Sequence, residues 1–282
     1  MTMFTYIILF ILAGTSSYRY LPETGRIPYS YSTSERDLLA NITEIPHHVL
    51  IVYSTWYCSG CLTGSRIVIT AASCFAKHKG EPITVKVGAE SITANGQVIT
   101  VIELKKHEYF RHLNKLDNDI ALLVLQEHVD FEDGGGVEKA VLLEANVAFH
   151  VNTPLNVYGW GGPEKVVKYQ NMPLCSIMAV VEKLECQEQY GHLITPSNFC
   201  VRYNPQRRLS DNGGGAIYNK TLVGILSAGG TSSQVPHFAV LTNISYFNKW
   251  IKLNTKNFLS KYCSMHNSDD YYHIDSVEFP EA

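Results

Sequence analysis

Cys58-Ser-Gly-Cys-Leu-Thr-Gly-Ser-Arg-Ile-Val-Ile-Thr-Ala-Ala-Ser-Cys74 is the stretch on which the fold turns. After the Gly64-Ser65 break, Arg66–Thr70 is a β-branched run, and such a run fits a pleated strand better than a helix. The cysteines also permit another reading. Cys58-x2-Cys61-x12-Cys74-x3-His78 has zinc-module spacing. A finger of that type needs a helix toward its last ligands, where this chain instead sets Arg66–Thr70. Cys58-x-x-Cys61 as a redox pair wants a βαβ setting, and none surrounds it. No metal is therefore expected here.

Working outward, the chain from Pro46 to Asn243 is a series of short apolar runs broken by Gly, Asn, Asp and Pro. Thr84–Val87 alternates like a half-buried strand, and Gln97–Leu104 and Asp119–Leu125 are β-rich or continuously apolar. Leu155–Tyr158, Leu222–Ser227 and Phe238–Leu241 continue the series. Many short strands with turns between them predict an antiparallel, all-β barrel or sandwich. One helix is predicted, over Ser245–Leu253, with Phe247, Trp250 and Ile251 on one face. Beyond Lys256 the chain turns polar and acidic (Asp269, Asp270, Asp275, Glu278, Glu281), so 254–282 is expected to be a loosely ordered tail.

The first 17 residues carry an apolar run, Met3–Ala13, that is too short to span a bilayer comfortably, followed by small residues. They are expected to be a signal peptide, with 18–44 an irregular lead-in. Three N-x-[ST] triplets, at Asn41, Asn219 and Asn243, agree with secretion as glycosylation acceptors. Seven cysteines fit an oxidising compartment, and the odd count leaves at least one outside an intrachain pair. A formal charge of −3 gives no basis for nucleic-acid or membrane partners. Gly213-Gly214-Gly215 lacks the Lys-Ser/Thr and the helix of a phosphate loop. Gly134-Gly135-Gly136 reads as a turn, and His47-His48 as surface packing rather than a ligand pair.

Four segments stand in a telling order: the quoted stretch ending Thr-Ala-Ala-Ser73-Cys74, then Asn118-Asp119-Ile-Ala-Leu-Leu-Val-Leu125, Tyr158-Gly-Trp-Gly161 and Ser210-Asp211-Asn212-Gly-Gly-Gly215. Together they resemble the trypsin/chymotrypsin-like serine protease family (peptidase S1), and the resemblance covers about 45–253. It implies two antiparallel six-stranded β-barrels (about 45–140 and 150–245) with a short C-terminal helix. It also implies bridges Cys58–Cys74 and Cys186–Cys200, with Cys61, Cys175 and Cys263 left open between one further pair, free thiols and an interchain bond.

The same resemblance places Ser73 where the general-base histidine belongs, Asp119 at the triad aspartate and Asn212 at the nucleophilic serine. The chemistry needs a hydroxyl within reach of an imidazole whose ring a carboxylate orients. Serine cannot take up a proton near neutral pH, and a planar amide is a poor nucleophile. Losing one key triad member costs about 10⁶-fold in turnover. His78 and His237 are the histidines to consider as relocated bases, and His107 reads as structural.

Asp211 is kept. In active relatives its counterpart pairs with a new N-terminal amine, yet no Ile-Val-Gly-Gly-like start exists and Arg26-Ile27-Pro28-Tyr29 is only a distant substitute. The implied cleft is altered at Gln206, Arg208, Ser210, Ala228 and Gly229. The expectation is a secreted, non-catalytic homologue of insect-like type, a pseudoprotease without cofactors. It would bind an extracellular protein partner (a protease or its substrate) and regulate a proteolytic cascade. The alternatives are a weak or unconventional endopeptidase and a structural secreted protein without a specific partner.

Overall fold

The computed structural model describes residues 19–20, 39–132, 136–160, 171–204, 209, 211–229 and 237–263, with the backbone alone at 263. The expected signal peptide, most of the expected lead-in, the Arg26 junction, Gly134-Gly135, Gly161, Gln206, Arg208, Ser210 and the acidic residues past 264 lie outside them.

A short strand β1 (Arg19–Tyr20) precedes six strands that close a barrel: β2 (His48–Tyr53), β3 (Trp56–Gly64), β4 (Ile67–Thr70), β5 (Ile83–Val87), β6 (Gln97–Lys106) and β7 (Ala121–Leu125). Their spatial order is β2-β3-β4-β7-β6-β5, antiparallel throughout. The quoted stretch is the β3–β4 hairpin and the turn after it. All four residues of β4 are buried, as a β-branched run inside a barrel should be.

Two short strands follow, β8 (Val141–Leu142) and β9 (Val147–Ala148). The second barrel comprises β10 (Pro154–Trp160), β11 (Pro173–Val180), β12 (Asn198–Arg202), β13 (Gly215–Tyr218), β14 (Thr221–Ala228) and β15 (Phe238–Asn243). Its ring runs β13-β10-β11-β12-β15-β14 and closes through β13–β14, with β8 added in parallel to β14. Closure removes the sheet edges that an open antiparallel sheet would expose. One continuous apolar cluster draws residues from both barrels and from the C-terminal helix.

The helices differ from expectation in two ways. A helix α1 (Lys183–Tyr190) lies between β11 and β12, although its sequence, Lys-Leu-Glu-Cys-Gln-Glu-Gln-Tyr, has no apolar face to announce it. It is fixed covalently instead, by the Cys186–Cys200 bridge to β12. The C-terminal helix α2 spans Ile244–Cys263, ten residues past Leu253, and takes in the start of the expected loose tail. Phe258 is buried in the common core. Lys261 and the Tyr262 hydroxyl both donate to Glu103 Oε2 on β6, at 2.6 and 2.5 Å. These contacts hold the added turns against the first barrel.

The glycine run Gly213-Gly214-Gly215 marks where the barrels touch. A Cβ on Gly213 (φ +90°) would stand 2.1 Å from the Ser59 carbonyl oxygen, and one on Gly214 1.7 Å from that of Tyr158. Both obstacles are backbone and cannot move aside, so only glycine fits.

Candidate functional site

The site residues come from four places. Ser73 sits in the single 3-10 turn Ala72–Phe75 that follows β4. The Cys58–Cys74 bridge ties that turn to β3. Asp119 sits just before β7, after Asn118, whose φ of +49° suits an asparagine. The Asn118 amide donates to the Tyr109 carbonyl at 3.1 Å and to Asp117 Oδ2 at 2.7 Å, which fixes the turn that aims Asp119 inward. Asn212 opens the glycine run. Its carbonyl accepts from Ser59 N at 2.9 Å, and Gly213 N donates to Leu226 O at 2.8 Å, so the turn is stitched to both barrels. Ser227, near the end of β14, supplies a group that sequence reasoning missed.

These residues converge. Asp119 is buried, and its two oxygens are both engaged: Oδ1 accepts from Ser73 N at 2.6 Å and Oδ2 from Ser227 Oγ at 2.5 Å. Its carbonyl accepts from Thr242 Oγ1 at 2.8 Å. The Asn212 amide donates to Ser73 Oγ at 3.5 Å. Burial pushes the Asp119 carboxyl above its ordinary range, opposed by the Ser227 and Ser73 hydrogen bonds and by Arg111. Ser73, Asp119, Asn212 and Ser227 are thus brought together at one place, with no imidazole among these four residues.

No histidine has moved in among the described residues. His78 Nε2 lies 2.7 Å from the Glu81 carbonyl, with its ring edge-on to Tyr53 and Phe75. His237 packs beside Tyr203. His107 lies against Phe247 and Trp250 of α2. The Cys58–Cys74 bridge also takes up the two outer sulfurs that a zinc reading of the stretch requires. Cys61 is free and buried, with burial driving its thiol pKa well above the usual range, and Cys175 is half-buried.

Asp211 faces the first barrel. Its Oδ1 accepts from Trp160 N at 2.9 Å and its Oδ2 from Ser59 Oγ at 2.5 Å. Behind Ser59 stands His48 Nε2, 3.4 Å from the same hydroxyl. Burial pushes Asp211 up to about 7, against the pull of those hydrogen bonds. His47 and His48 are therefore not surface packing. Both are buried, His48 between Tyr158 and Trp160, and burial lowers them to about 4 and about 3. Strand alternation hid this, because both faces of a strand at a barrel–barrel contact are covered.

The cleft walls are partly described. Ala228 ends β14 and Gly229 follows it. A Cβ built on Gly229 would stand 3.4 Å from the Leu209 carbonyl oxygen. The Leu209 side chain is 3% exposed, joins the common core and packs on Gly159. Of the three sequon asparagines, Asn41 and Asn219 are exposed. Asn243 is half-buried, with its Oδ1 accepting from Ser245 N at 3.0 Å.

Comparison with known proteins agrees with this architecture. The chain is 29% identical over 227 residues to a vitellin-degrading protease of Bombyx mori, covering 78% of this chain and 85% of that one. It is 28% identical over 218 residues to trypsin 5G1 of Aedes aegypti, covering 75% and 80%. Among solved structures it superposes on the scabies mite inactivated protease paralogue S-D1 with a TM-score of 0.69 at 24% identity, covering 78% and 97%. The family model described as Trypsin matches residues 39–251, and the chain belongs to the trypsin family of serine proteases.

Proposed function

We propose that this trypsin-family chain is a secreted pseudoprotease, a binding or regulatory protein that holds a protein segment without cutting it, in an extracellular proteolytic cascade. One observation carries this. The carboxylate that should orient an imidazole accepts from Ser73 N and the Ser227 hydroxyl, and the group that reaches the Ser73 hydroxyl is the Asn212 amide. No group in that constellation takes a proton from a nucleophile, and no nucleophile is present. Membership of a family whose matched relatives bear the names of proteases favours peptidase activity as a prior. The chemistry of the two substituted positions outweighs it.

Secretion is supported by the short apolar N-terminal segment and by two disulfides. Asn41 and Asn219 are exposed sequons fit to carry glycans. Among the described residues no helix is long and apolar enough to cross a membrane. The insect-like character rests on the same substitutions and on the arthropod relatives matched.

The test is hydrolysis of a broad peptide library by the purified native protein, beside its Asp119→Ala variant. No turnover from either is expected. Turnover by the native protein that Asp119→Ala removes would overturn the proposal in favour of an unconventional peptidase. A pulldown comparing native protein with variants at Gln206 or Arg208 tests the binding role, and equal recovery of partners from all of them would count against the cleft as the contact surface.

A further inference from the structure

Away from the substituted triad, the second barrel carries a groove of about 510 Å³ between α1, the residues before β9 and the start of α2. Its walls include Phe199, Tyr246, Lys183, Lys249 and Asn243. Asn243 is the last residue of β15 and the asparagine of the third sequon. Its backbone N–H donates to Ser197 O at 2.9 Å. Its Oδ1 caps α2, accepting from Ser245 N at 3.0 Å and from Tyr246 N at 3.4 Å. The planar amide is therefore oriented, and one corner is left over. That corner is Nδ2, which donates to nothing among the described residues.

We propose that the groove is the seat of an N-linked glycan on Asn243, with the first N-acetylglucosamine lying against Tyr246 and Phe199. The proposal rests on the secreted reading and gives this groove an occupant. The other two sequons differ in kind: Asn41 and Asn219 are exposed and neither lines the groove.

The fold sets the order of events. Ser245, the hydroxyl residue of the sequon, is 4% exposed, and its Oγ accepts from Val147 N at 2.7 Å. A transferase cannot reach that hydroxyl in the folded chain, so transfer precedes folding. The donor is a lipid-pyrophosphate-linked oligosaccharide. A bond forms between Asn243 Nδ2 and C1 of the first sugar, the C1–phosphate bond breaks, the lipid pyrophosphate leaves, and the amide gives up one proton. Modified at Nδ2, Asn243 keeps Oδ1 as an acceptor, so the cap on α2 survives. The sugar then meets suitable walls. Its C–H faces match the two rings, and its hydroxyls match Lys183 and Lys249, which make no ion pair among the described residues. A ligand tethered to the groove's own wall has a high effective concentration, so weak contacts suffice to seat it. Seated, it covers Tyr246, which is otherwise 55% exposed, and takes this face out of protein contact.

The experiment uses the full chain secreted from cultured vertebrate cells. Peptide-N-glycosidase hydrolyses the Cγ–Nδ2 bond and leaves aspartate, and digestion in heavy-oxygen water marks each site for mass spectrometry. Asn243 is expected to carry a glycan and, in native protein, to lose it at least about tenfold more slowly than Asn41 or Asn219, because the groove must open first. Denaturant is expected to remove the difference. Tyr246→Ala takes away an exposed ring and leaves the backbone cap, and is expected to speed release at Asn243 about tenfold without changing the other two sites. Native release at Asn243 as fast as elsewhere overturns the seat, as does release that Tyr246→Ala leaves unchanged. Glycans on Asn41 or Asn219 beside a bare Asn243 overturn the proposal and leave secretion standing. Retention of the chain in the cell with all three asparagines bare overturns the secreted reading together with it.

Discussion

Asp211→Asn tests whether a buried, uncompensated carboxyl lies beneath the cleft, and the structure sets both sign and size. Asp211 rises from about 3.8 unfolded to about 7 folded, because burial outweighs the hydrogen bonds from Ser59 and Trp160. A raised folded pKa means that the group's contribution is fully present below about pH 3.8 and is lost as the pH climbs through about 7. At about 1.4 kcal/mol per pH unit the loss reaches a ceiling of about 4 kcal/mol by pH 8. Asparagine keeps the acceptor for Trp160 N and can donate to Ser59 Oγ, but does not titrate. His47 and His48 also shift, from about 6.5 to about 4 and about 3, and they make native protein more stable as the pH rises toward 6.5. That slope is common to both proteins, so the native-minus-variant difference isolates Asp211. Urea unfolding at pH 5, 6, 7 and 8 is the assay. The variant is expected to gain on native protein by about 2–3 kcal/mol between pH 5 and pH 8, or roughly 4–12 °C in melting temperature at 2–4 °C per kcal/mol. A difference that stays flat across that range would refute the assignment of a raised pKa to Asp211.

Three further outcomes follow from named contacts. Asp119→Ala is expected to cost about 1–3 kcal/mol of stability, because Ser73 N and Ser227 Oγ lose a buried acceptor, and Asp119→Asn to cost less; chemical denaturation measures both. Phe258→Ala removes a ring buried in the common core and is expected to cost about 3 kcal/mol, read as a lower melting temperature. Cys61 is buried at zero exposure and its thiol is pushed up by burial, so iodoacetamide is expected to leave it unlabelled in native protein and to label it fully in denaturant, as mass spectrometry would show.

The barrels were legible because their signals are local: β-branched runs such as Ile67–Thr70, and turn residues between them. Ser73, Asp119 and Asn212 were each singled out from a short motif, and the structure brings the three together. What escaped the sequence depends on contacts between distant segments. Ser59 and Asp211 are 152 positions apart, and nothing in either neighbourhood signals the other. His47-His48 looked like a surface pair because a polar doublet gives no hint of a second barrel above it. The length of α2 had a signal that went unread. Phe247, Ile251, Phe258 and Tyr262 are spaced by four, seven and four, which continues one helical face through the lysines and asparagines between. Mean polarity past Lys256 obscured a stripe that periodicity keeps. Helix α1 had no such stripe, since a disulfide holds it where an apolar face normally would.

Retention of Asp119 is easily mistaken for a trace of activity, and the energetics argue otherwise. With no imidazole beside it, the carboxylate has neutral partners and only a distant Arg111 for charge, which is why burial raises it. An apolar replacement would remove that desolvation cost. It would also leave the Ser73 amide and the Ser227 hydroxyl buried without an acceptor, at about 1–3 kcal/mol each. The two donors exist because β4 and β14 end where they do, and those ends are set by the barrels. The fold by itself therefore gives Asp119 a structural role. Ser73 and Asn212 are held less tightly: their side chains are only part-buried and bind each other at the limit of hydrogen-bond length. Burial therefore divides the constellation: the carboxylates of Asp119 and Asp211 are held inside the fold, and Ser73 and Asn212 stand at its edge.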